Sequence, residues 1–145
     1  MTSACPVEWL LLTHAGATLF MVGVIWFVQV VHYPLFSRVG DAGFSAYERQ
    51  HARRTGWVVG APMLVELATA VAAAWCVGGT IAFAGLALLT AIWASTGLWQ
   101  VPAHRRLEAG FDAAVHRRLV TTNWLRTVAW SARGVVALAL LGAAP

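Results

Sequence analysis

Two apolar stretches in the middle of the chain decide the fold: WVVGAPMLVELATAVAAAWCV over residues 57–77 and TIAFAGLALLTAIWASTGLWQV over residues 80–101. A helix that crosses a bilayer needs roughly 20 mostly apolar residues, and each stretch is of that length. Only Gly78 and Gly79 separate them. Because so short a connection forces consecutive helices to run antiparallel, the pair is predicted to form a tight helical hairpin.

Two further stretches, about 7–31 and 119–141, have the same length and apolar character. The whole chain is 59% apolar and 11% charged, and its mean hydropathy is +0.68. Soluble domains carry about 25% charged residues, so this composition excludes a water-soluble globule. The predicted fold class is an all-α integral membrane protein. Residues 1–145 form a single domain, an antiparallel bundle of four transmembrane helices.

The arginines lie on one side of this bundle. The chain has ten arginines and no lysine, and eight of the arginines fall in the connections 36–56 and 102–118. The positive-inside rule therefore predicts cytoplasmic connections, with the N- and C-termini in the periplasm. A composition rich in Arg, Ala and Gly without Lys is typical of a GC-rich bacterial genome, which indicates a bacterial inner membrane.

The first span and the two cysteines bear on processing and redox state. The first span lacks the basic start and short apolar core of a cleavable signal peptide, so we expect it to be retained. Cys5 and Cys76 are both predicted on the periplasmic side, where a disulfide is geometrically allowed. Two cysteines form no framework pattern, and the favoured interpretation is two unpaired small residues.

Local helix signals occur in both long connections. Ser45-Ala46-Tyr47-Glu48 matches the S-x-x-E capping box, which predicts a short cytoplasmic interfacial helix that begins near Ser45. Gly110 suits the residue that follows a helix, and Asp112 suits an N-cap. The third span is therefore expected to continue to about Ala109 and the fourth helix to begin near Ala113.

Polar side chains recur at helical spacing inside the apolar spans, which places them on inward-facing stripes. The stripes contain His14, Thr18, Gln29 and His32 in the first span, Trp93, Thr96, Gln100, His104 and Glu108 in the third, and His116, Asn123, Arg126, Trp130 and Arg133 in the fourth. Most of them lie in the cytoplasmic half. The pattern predicts a polar funnel that opens to the cytoplasm.

Two buried charges are matched in depth. Counted from the cytoplasmic ends of their spans, Glu66 and Arg126 both lie about 12–15 Å below the surface at ~1.5 Å per residue. Isolated charges there are costly, so a Glu66–Arg126 ion pair is predicted. Such a pair could serve catalysis or only fasten the second span to the fourth. Arg133 is expected to donate to His14 or to extend towards the outer surface past Trp130.

Histidines and carboxylates gather at the cytoplasmic end. The candidate metal ligands are His32, Glu48, His51, His104, Glu108 and His116. The i, i+3 spacing of Glu48 and His51 resembles that of di-metal carboxylate bundles, and imidazole suits Fe, Cu or Zn. Bis-histidine haem ligation would need two inward histidines at one level. The alternative is a solvated, headgroup-facing surface, since arginines flank these residues.

The last third of the chain resembles the anthrone-oxygenase-like family of small four-helix membrane proteins, many of unknown function. The resemblance covers residues 101–127, with VPAHRRL closing the third span and the motif Asn123-x-x-Arg126 opening the fourth. His104 stands where the family commonly has Asn. The resemblance implies that Asn123 and Arg126 act in a cytoplasm-facing pocket, and that a polycyclic phenol is oxidised by molecular oxygen without a cofactor. The segment His32-Tyr33-Pro34 is more weakly similar to four-helix haem-associated membrane oxidases.

The first functional hypothesis is a small, oxygenase-like membrane oxidoreductase that acts on an amphipathic, aromatic substrate. His32 or Glu66 would act as base, and Arg126, beside Asn123, would stabilise an oxyanion. The expected substrate-binding residues are Gln29, Thr96, Gln100, Trp124 and Trp130. The cofactor is left open: none, a transition metal (Fe, Cu or Zn) or haem.

Two alternatives stay open. The chain could be a metal- or haem-binding membrane protein that uses the histidine cluster, or a small transporter or assembly partner, for which four spans would require a homo-oligomer. The expected partners are the lipid bilayer and a small amphipathic molecule. Nucleotide chemistry is not indicated, because the sequence has no G-x-G-x-x-G and no P-loop. The arginines flank spans, so no nucleic-acid partner is predicted.

Overall fold

The computed structural model describes residues 7–143, which form helices and short turns without strands. The four helices are α1 (Val7–Arg38), α2 (Asp41–Cys76), α3 (Gly79–Leu107) and α4 (Ala113–Gly142), and all four are long and apolar enough to cross a membrane. Helix α1 packs against α2 and α4, and α3 packs mainly against α4. The predicted all-α, four-helix architecture is confirmed.

The α2–α3 connection is a tight turn built on two glycines. Gly78 has φ 67° and Gly79 has φ 77°, values that side chains with a Cβ rarely adopt. The amides of Val77 and Gly78 both donate to the carbonyl of Ala73, which closes the end of α2. The predicted helical hairpin is confirmed. The end of the bundle at this turn is called the hairpin end below, and the opposite end, with the arginine-rich connections, is called the basic end.

The connection between α1 and α2 differs from the prediction. No separate interfacial helix is present in the described chain, because α2 begins at Asp41 and runs without a break for 36 residues. Gly40, with φ 81°, makes the turn before it. Ser45 and Glu48 lie inside this helix, so the capping-box interpretation is wrong. The segment folds onto the bundle because Phe44 and Glu48 are buried there.

The connection between α3 and α4 is close to the prediction. Helix α3 ends at Leu107, and Gly110 has φ 152°, in the region that favours glycine. Asp112 is the N-cap of α4, and its carboxylate accepts from the amides of Ala114 (2.8 Å) and Val115 (3.0 Å). The predicted cap is confirmed, and these two hydrogen bonds hold the pKa of the exposed Asp112 carboxyl below its usual value.

Two π-helical turns widen the bundle at the basic end. They lie at Val28–His32 in α1 and Thr96–Gln100 in α3. Each one precedes a proline, Pro34 or Pro102. Since proline has no N–H and crowds the preceding turn, the helix accommodates it by a wider turn. Gln29 and Gln100, which lie within these turns, are buried in the interior.

The core has three layers along the bundle axis. Phe36, Phe44, Leu107 and Leu119 form the layer at the basic end, Met21, Ile25, Ile92 and Trp130 the middle, and Leu11, Ala73, Ala82 and Leu140 the hairpin end. The outer surface is also apolar: Trp75 is 90% exposed and Trp57 71%. Such a surface suits lipid rather than water. Cys76 is exposed and has no disulfide partner in residues 7–143, whereas Cys5 lies outside the described residues.

Candidate functional site

The first polar cluster surrounds Glu66 in the interior of the bundle. Its carboxylate accepts hydrogen bonds from Thr18 (3.0 Å), Trp130 (3.1 Å) and the Nε of Arg133 (2.8 Å). Glu66 and Arg133 are both almost fully buried. The expected Glu66–Arg126 pair is therefore wrong, and Arg133 is the partner. The predicted depths of Glu66 and Arg126 were counted from the basic end. Counted from the hairpin end, Glu66 is level with Arg133 instead.

Arg133 also fastens a third helix to this cluster. Its Nη1 donates to the carbonyl oxygen of Gly85 in α3. With 1% of its surface exposed, Arg133 does not extend towards the outer surface, and it does not pair with His14. His14 instead donates from Nδ1 to Thr69 Oγ1 (2.9 Å), because the Thr69 hydroxyl is already used as a donor to Val65 O (2.7 Å).

The motif Asn123-x-x-Arg126 builds a second cluster, about two to three helical turns closer to the basic end. Asn123 donates to Gln29 Oε1 (2.8 Å), and Arg126 Nη1 donates to Asn123 Oδ1 (2.9 Å). Gln29 in turn donates to Val120 O (3.2 Å). The guanidinium of Arg126 lies over the Trp130 ring, 5.2 Å from its centroid. Four predicted site residues are thus in mutual contact, and their side chains fill the interior instead of lining an open funnel.

A third cluster links Glu48, His104 and Tyr33. The fully buried Glu48 carboxylate accepts from His104 Nδ1. A neutral imidazole with its proton on Nδ1 accepts at Nε2, so the Tyr33 hydroxyl donates to His104 Nε2 (2.8 Å). The second oxygen of Glu48 has no hydrogen-bond partner among the described residues. The arrangement resembles a carboxylate–imidazole–hydroxyl triad in connectivity.

Tyr33 is the residue that sequence reasoning missed. It is buried beside Phe36, and the Arg126 guanidinium lies close to its hydroxyl. His116 Nε2 donates to the backbone oxygen of Tyr33 (2.7 Å), which fixes the turn around it. The sequence feature that could have identified Tyr33 is its place in His32-Tyr33-Pro34, at the end of the polar stripe of α1. The predicted stripe continued from Gln29 to His32, three residues on, whereas Tyr33, four residues after Gln29, is the more deeply buried of the two.

His32 and His51 form a pair on the α1–α2 side of the basic end. His32 Nε2 and His51 Nδ1 lie 2.8 Å apart, so one nitrogen donates and the other accepts. Thr55 Oγ1 also contacts His51 Nδ1 (3.1 Å). The His51 ring is 5.3 Å from that of His104, centroid to centroid. The pair is therefore a neighbour of the Glu48–His104–Tyr33 cluster but shares no hydrogen bond with it in the described part of the chain.

A large cavity opens beside this histidine pair. It has a volume of about 1000 Å³ and lies between α1 and α2. Small-molecule sites commonly measure about 300–1,000 Å³. The apolar lining consists of Leu19, Phe20, Gly23, Val24, Phe27, Val28, Val58 and Val59, and the polar lining of His32, Tyr47, Gln50, His51, Arg54 and Thr55. Below we call this space the α1–α2 groove.

Most predicted site residues lie elsewhere. The lining of the α1–α2 groove includes His32 and His51 but not Glu66, Asn123 or Arg126. The other predicted contacts are engaged locally: Gln100 donates to Thr122 (2.9 Å), Thr96 to Ile92 O (2.7 Å), and the exposed Trp124 ring meets Trp26 edge to face at 5.8 Å.

The predicted metal ligands are only partly assembled. Glu48, His51, His104 and His32 come together at the basic end, whereas His116 is held by the Tyr33 carbonyl. Glu108 is half-buried and makes no side-chain hydrogen bond with them among the described residues. Within residues 7–143, no group of three or more His, Cys, Asp or Glu side chains is arranged to hold a metal ion.

The chain has no detected likeness to known proteins. No protein-family model, no curated protein and no solved structure matches it. Its function is therefore argued from the geometry of these clusters and the groove.

Proposed function

We propose that this chain is an integral membrane oxidoreductase that takes an amphipathic, aromatic molecule from the lipid phase into the α1–α2 groove. The observation that carries the proposal is the position of the His32–His51 pair, which closes the polar end of a groove of about 1000 Å³ whose other walls are apolar. An amphipathic molecule in such a groove places its polar end against two imidazoles.

The groove suits entry from lipid. Phe20, Phe27 and Val58 line it and are each about half exposed on the outer surface of the bundle. A ligand dissolved in the bilayer reaches these side chains without crossing a water layer. The positive-inside rule predicts that the basic end faces the cytoplasm, and the polar head of the ligand would then lie on that side.

The histidine pair suits proton transfer. In a hydrogen-bonded pair of neutral imidazoles one nitrogen is an acceptor, and the ring that accepts a proton shares its charge with its partner. A phenolic hydroxyl at the head of the groove can therefore lose its proton to the pair. The resulting phenolate is electron-rich, and the electron acceptor that the family resemblance implies is molecular oxygen.

Glu66, Asn123 and Arg126 have a different role in this proposal from the one predicted for them. They lie behind the groove and hold α1, α2 and α4 together. Arg126 adds a positive charge close to Tyr33. We infer that the three are positioning residues, which keep the helices that carry His32 and His51 at the observed separation.

The test is oxygen consumption by the purified protein in nanodiscs, with phenols of increasing tail length as substrates. We expect His51→Gln and His32→Gln each to lower turnover by about 100-fold or more, the usual contribution of a general base. Arg117→Gln, an exposed change at the same end of the bundle, is the control. Full turnover in both histidine variants would overturn the proposal.

A second candidate function rests on the same pair, because two imidazole nitrogens that lie 2.8 Å apart could hold a metal ion after a small displacement. This candidate predicts stoichiometric Fe, Cu or Zn, or a haem absorption band, in protein purified without chelator. Loss of that metal or band in His32→Gln and His51→Gln would replace the first proposal with the second.

A further inference from the structure

We propose that the ligand of the α1–α2 groove is a single-ring quinol or quinone that carries a long isoprenoid chain. This inference rests on the proposed function, since it names the substrate class of that site. Three properties of the groove carry it: its length, the several hydrogen-bond donors at its head, and the aromatic side chains that line the same end.

The length of the groove fits a chain that follows the membrane lipids. Along α1 the lining extends from Leu19 to His32, 13 residues, which is about 20 Å at ~1.5 Å per residue. One leaflet of the hydrocarbon core is about 15 Å thick, half of ~30 Å. The groove therefore runs from the head region to the middle of the bilayer, as a membrane-anchored chain does. Gly23 lies in its wall, where a Cβ would have no atom within 4 Å.

The head of the groove offers two groups of hydrogen-bond donors. The first consists of the His32–His51 pair with Thr55, and the second of Gln50 and Arg54, which are four residues apart on α2. No Asp or Glu is in the described lining. A ligand with two acceptor oxygens on opposite sides of its head can accept from one group with each oxygen. The para oxygens of a quinone or quinol ring have that geometry, whereas a fatty-acid carboxylate offers both oxygens at one point.

Rings also line the head of the groove. Phe27 stacks on His32 with ring centroids 6.1 Å apart, and Tyr47 lies 6.3 Å from His32. All three line the groove. Flat side chains of this kind favour an aromatic head by offset or edge contacts. A single ring with a chain uses the full length of the groove, and a fused polycycle would leave its apolar part unfilled.

The reaction at this site balances with molecular oxygen as the electron acceptor. The quinol loses two electrons and both hydroxyl protons and becomes the quinone. The first proton passes from the ring hydroxyl to the His32–His51 pair, and the ring electrons pass to O₂. With the two protons added, O₂ becomes H₂O₂, so one quinol and one O₂ give one quinone and one H₂O₂.

The experiment is photolabelling of the full chain in phosphatidylcholine nanodiscs with a benzoquinone whose isoprenoid chain carries a diazirine. We expect the label on α1 and α2 groove residues. The unlabelled quinone should compete, while the same ring without its chain, and a fatty acid of equal chain length, should each compete about tenfold less well. Gly23→Leu should lower labelling at least about tenfold by filling the groove, and Gly16→Leu is the matched control, because it also adds a side chain to an exposed glycine of α1.

A second measurement separates binding from chemistry. His51→Gln should lower H₂O₂ formation from added quinol far more than it lowers labelling, because glutamine can still donate a hydrogen bond to the ring oxygen but cannot take up its proton. Equal competition by the fatty acid would overturn the quinone inference and leave the groove as a substrate site for another amphiphile. Labelling by no amphiphile on α1 or α2 would overturn both this inference and the proposed function.

Discussion

Glu66 of α2 and Arg133 of α4 form an ion pair in the interior of the bundle, with Oε1 and Nε 2.8 Å apart and both side chains shielded from solvent. The carboxylate also accepts from Thr18 of α1, and the guanidinium also donates to Gly85 of α3. One pair of charges therefore contacts all four helices. The charges stabilise the bundle only as a pair, because either one alone would be a buried, uncompensated ion.

Removing one member of this pair should be strongly destabilising. We expect Glu66→Gln and Arg133→Gln each to lower the free energy of unfolding by roughly 3–5 kcal/mol, since each leaves the other charge unpaired. The double variant should lose less unfolding free energy than the two single variants lose together. The measurement is thermal or denaturant unfolding in detergent. Glu8→Gln, a change of an exposed carboxylate in α1, serves as control. If the parent and all four variants are equally stable, the pair is not formed.

Gly85 should not tolerate a side chain. A Cβ there would lie 3.0 Å from Val136 Cγ1 and 3.8 Å from Arg133 Nη1, so the stiff, β-branched Val136 side chain would have to shift by a few tenths of an ångström. We expect Gly85→Ala to cost about 1–3 kcal/mol, in the range of overpacked cores. Gly16→Ala is the matched control, because a Cβ at Gly16 would have no atom within 4 Å. It should raise the free energy of unfolding by roughly 0.5–1 kcal/mol, since alanine favours the helix more than glycine does. If the two alanine variants unfold alike, the close approach at Gly85 is wrong.

The elements that were predicted correctly depend on neighbours in the sequence. The Gly78-Gly79 turn and the Asp112 cap are each set by a few consecutive residues. The burial of His14, Thr18, Asn123 and Arg126 follows from helical spacing alone. The partner of Glu66, by contrast, depends on the relative depth of α2 and α4, which the packing of all four helices decides.

The basic end was the least predictable part of the site. Ser45 and Glu48 fit a capping box, yet Glu48 contacts His104, 56 residues away, and this contact keeps the segment helical and folded onto the bundle. Helical spacing allows either His32 or Tyr33 to follow Gln29 on the inward face, and only the packing of the folded bundle shows that Tyr33 is the buried one. The α1–α2 groove forms only where two helices pack together, so the sequence of neither helix alone predicts it.

The Asp112 cap should make stability depend on pH. Its carboxyl pKa is lowered by hydrogen bonds from the Val115 and Ala114 amides, so the charged form is favoured in the folded state. The cap's contribution is therefore complete above the ordinary pKa of an aspartate and is lost as the pH falls below it. Asp112→Ala should lower the melting temperature at neutral pH, and the difference from the parent should shrink in acid.

Asp112→Asn is the matched control for that titration. Its amide oxygen can still accept from the two backbone N–H groups, but it carries no titrating proton. We expect its melting temperature to stay near that of the parent at neutral pH and to lack the loss in acid. If the parent and Asp112→Ala keep a constant difference down to the lowest pH, the carboxylate is not the origin of the effect.

The arginine distribution predicts which end of the bundle faces the cytoplasm. In a chain with Cys5→Ser and Cys76→Ser, a single cysteine is introduced at exposed Ala109 of the basic end or at exposed Ala143 of the hairpin end. In intact bacterial cells a membrane-impermeant maleimide should label Ala143→Cys, whereas Ala109→Cys should react only after permeabilisation. The reverse pattern would invert the orientation and place the head of the groove outside the cell.

The hydroxyl of Tyr33 should contribute more to the free energy of unfolding than the hydroxyl of nearby Tyr47. Tyr33→Phe leaves His104 Nε2 without its partner in the interior, so we expect a loss of about 1–3 kcal/mol in unfolding free energy. Tyr47→Phe is the control, because the Tyr47 hydroxyl makes no hydrogen bond among the described residues, and it should change stability by less than about 0.5 kcal/mol.

A double-mutant cycle of Tyr33→Phe with His104→Asn then isolates the contact itself. We expect a coupling energy of roughly 0.5–3 kcal/mol, as for residues in one hydrogen-bond network. The corresponding cycle of Tyr47→Phe with His104→Asn should give no coupling energy. If the Tyr33 cycle is also additive, the hydroxyl and the imidazole do not interact, and Glu48 holds His104 without involving Tyr33.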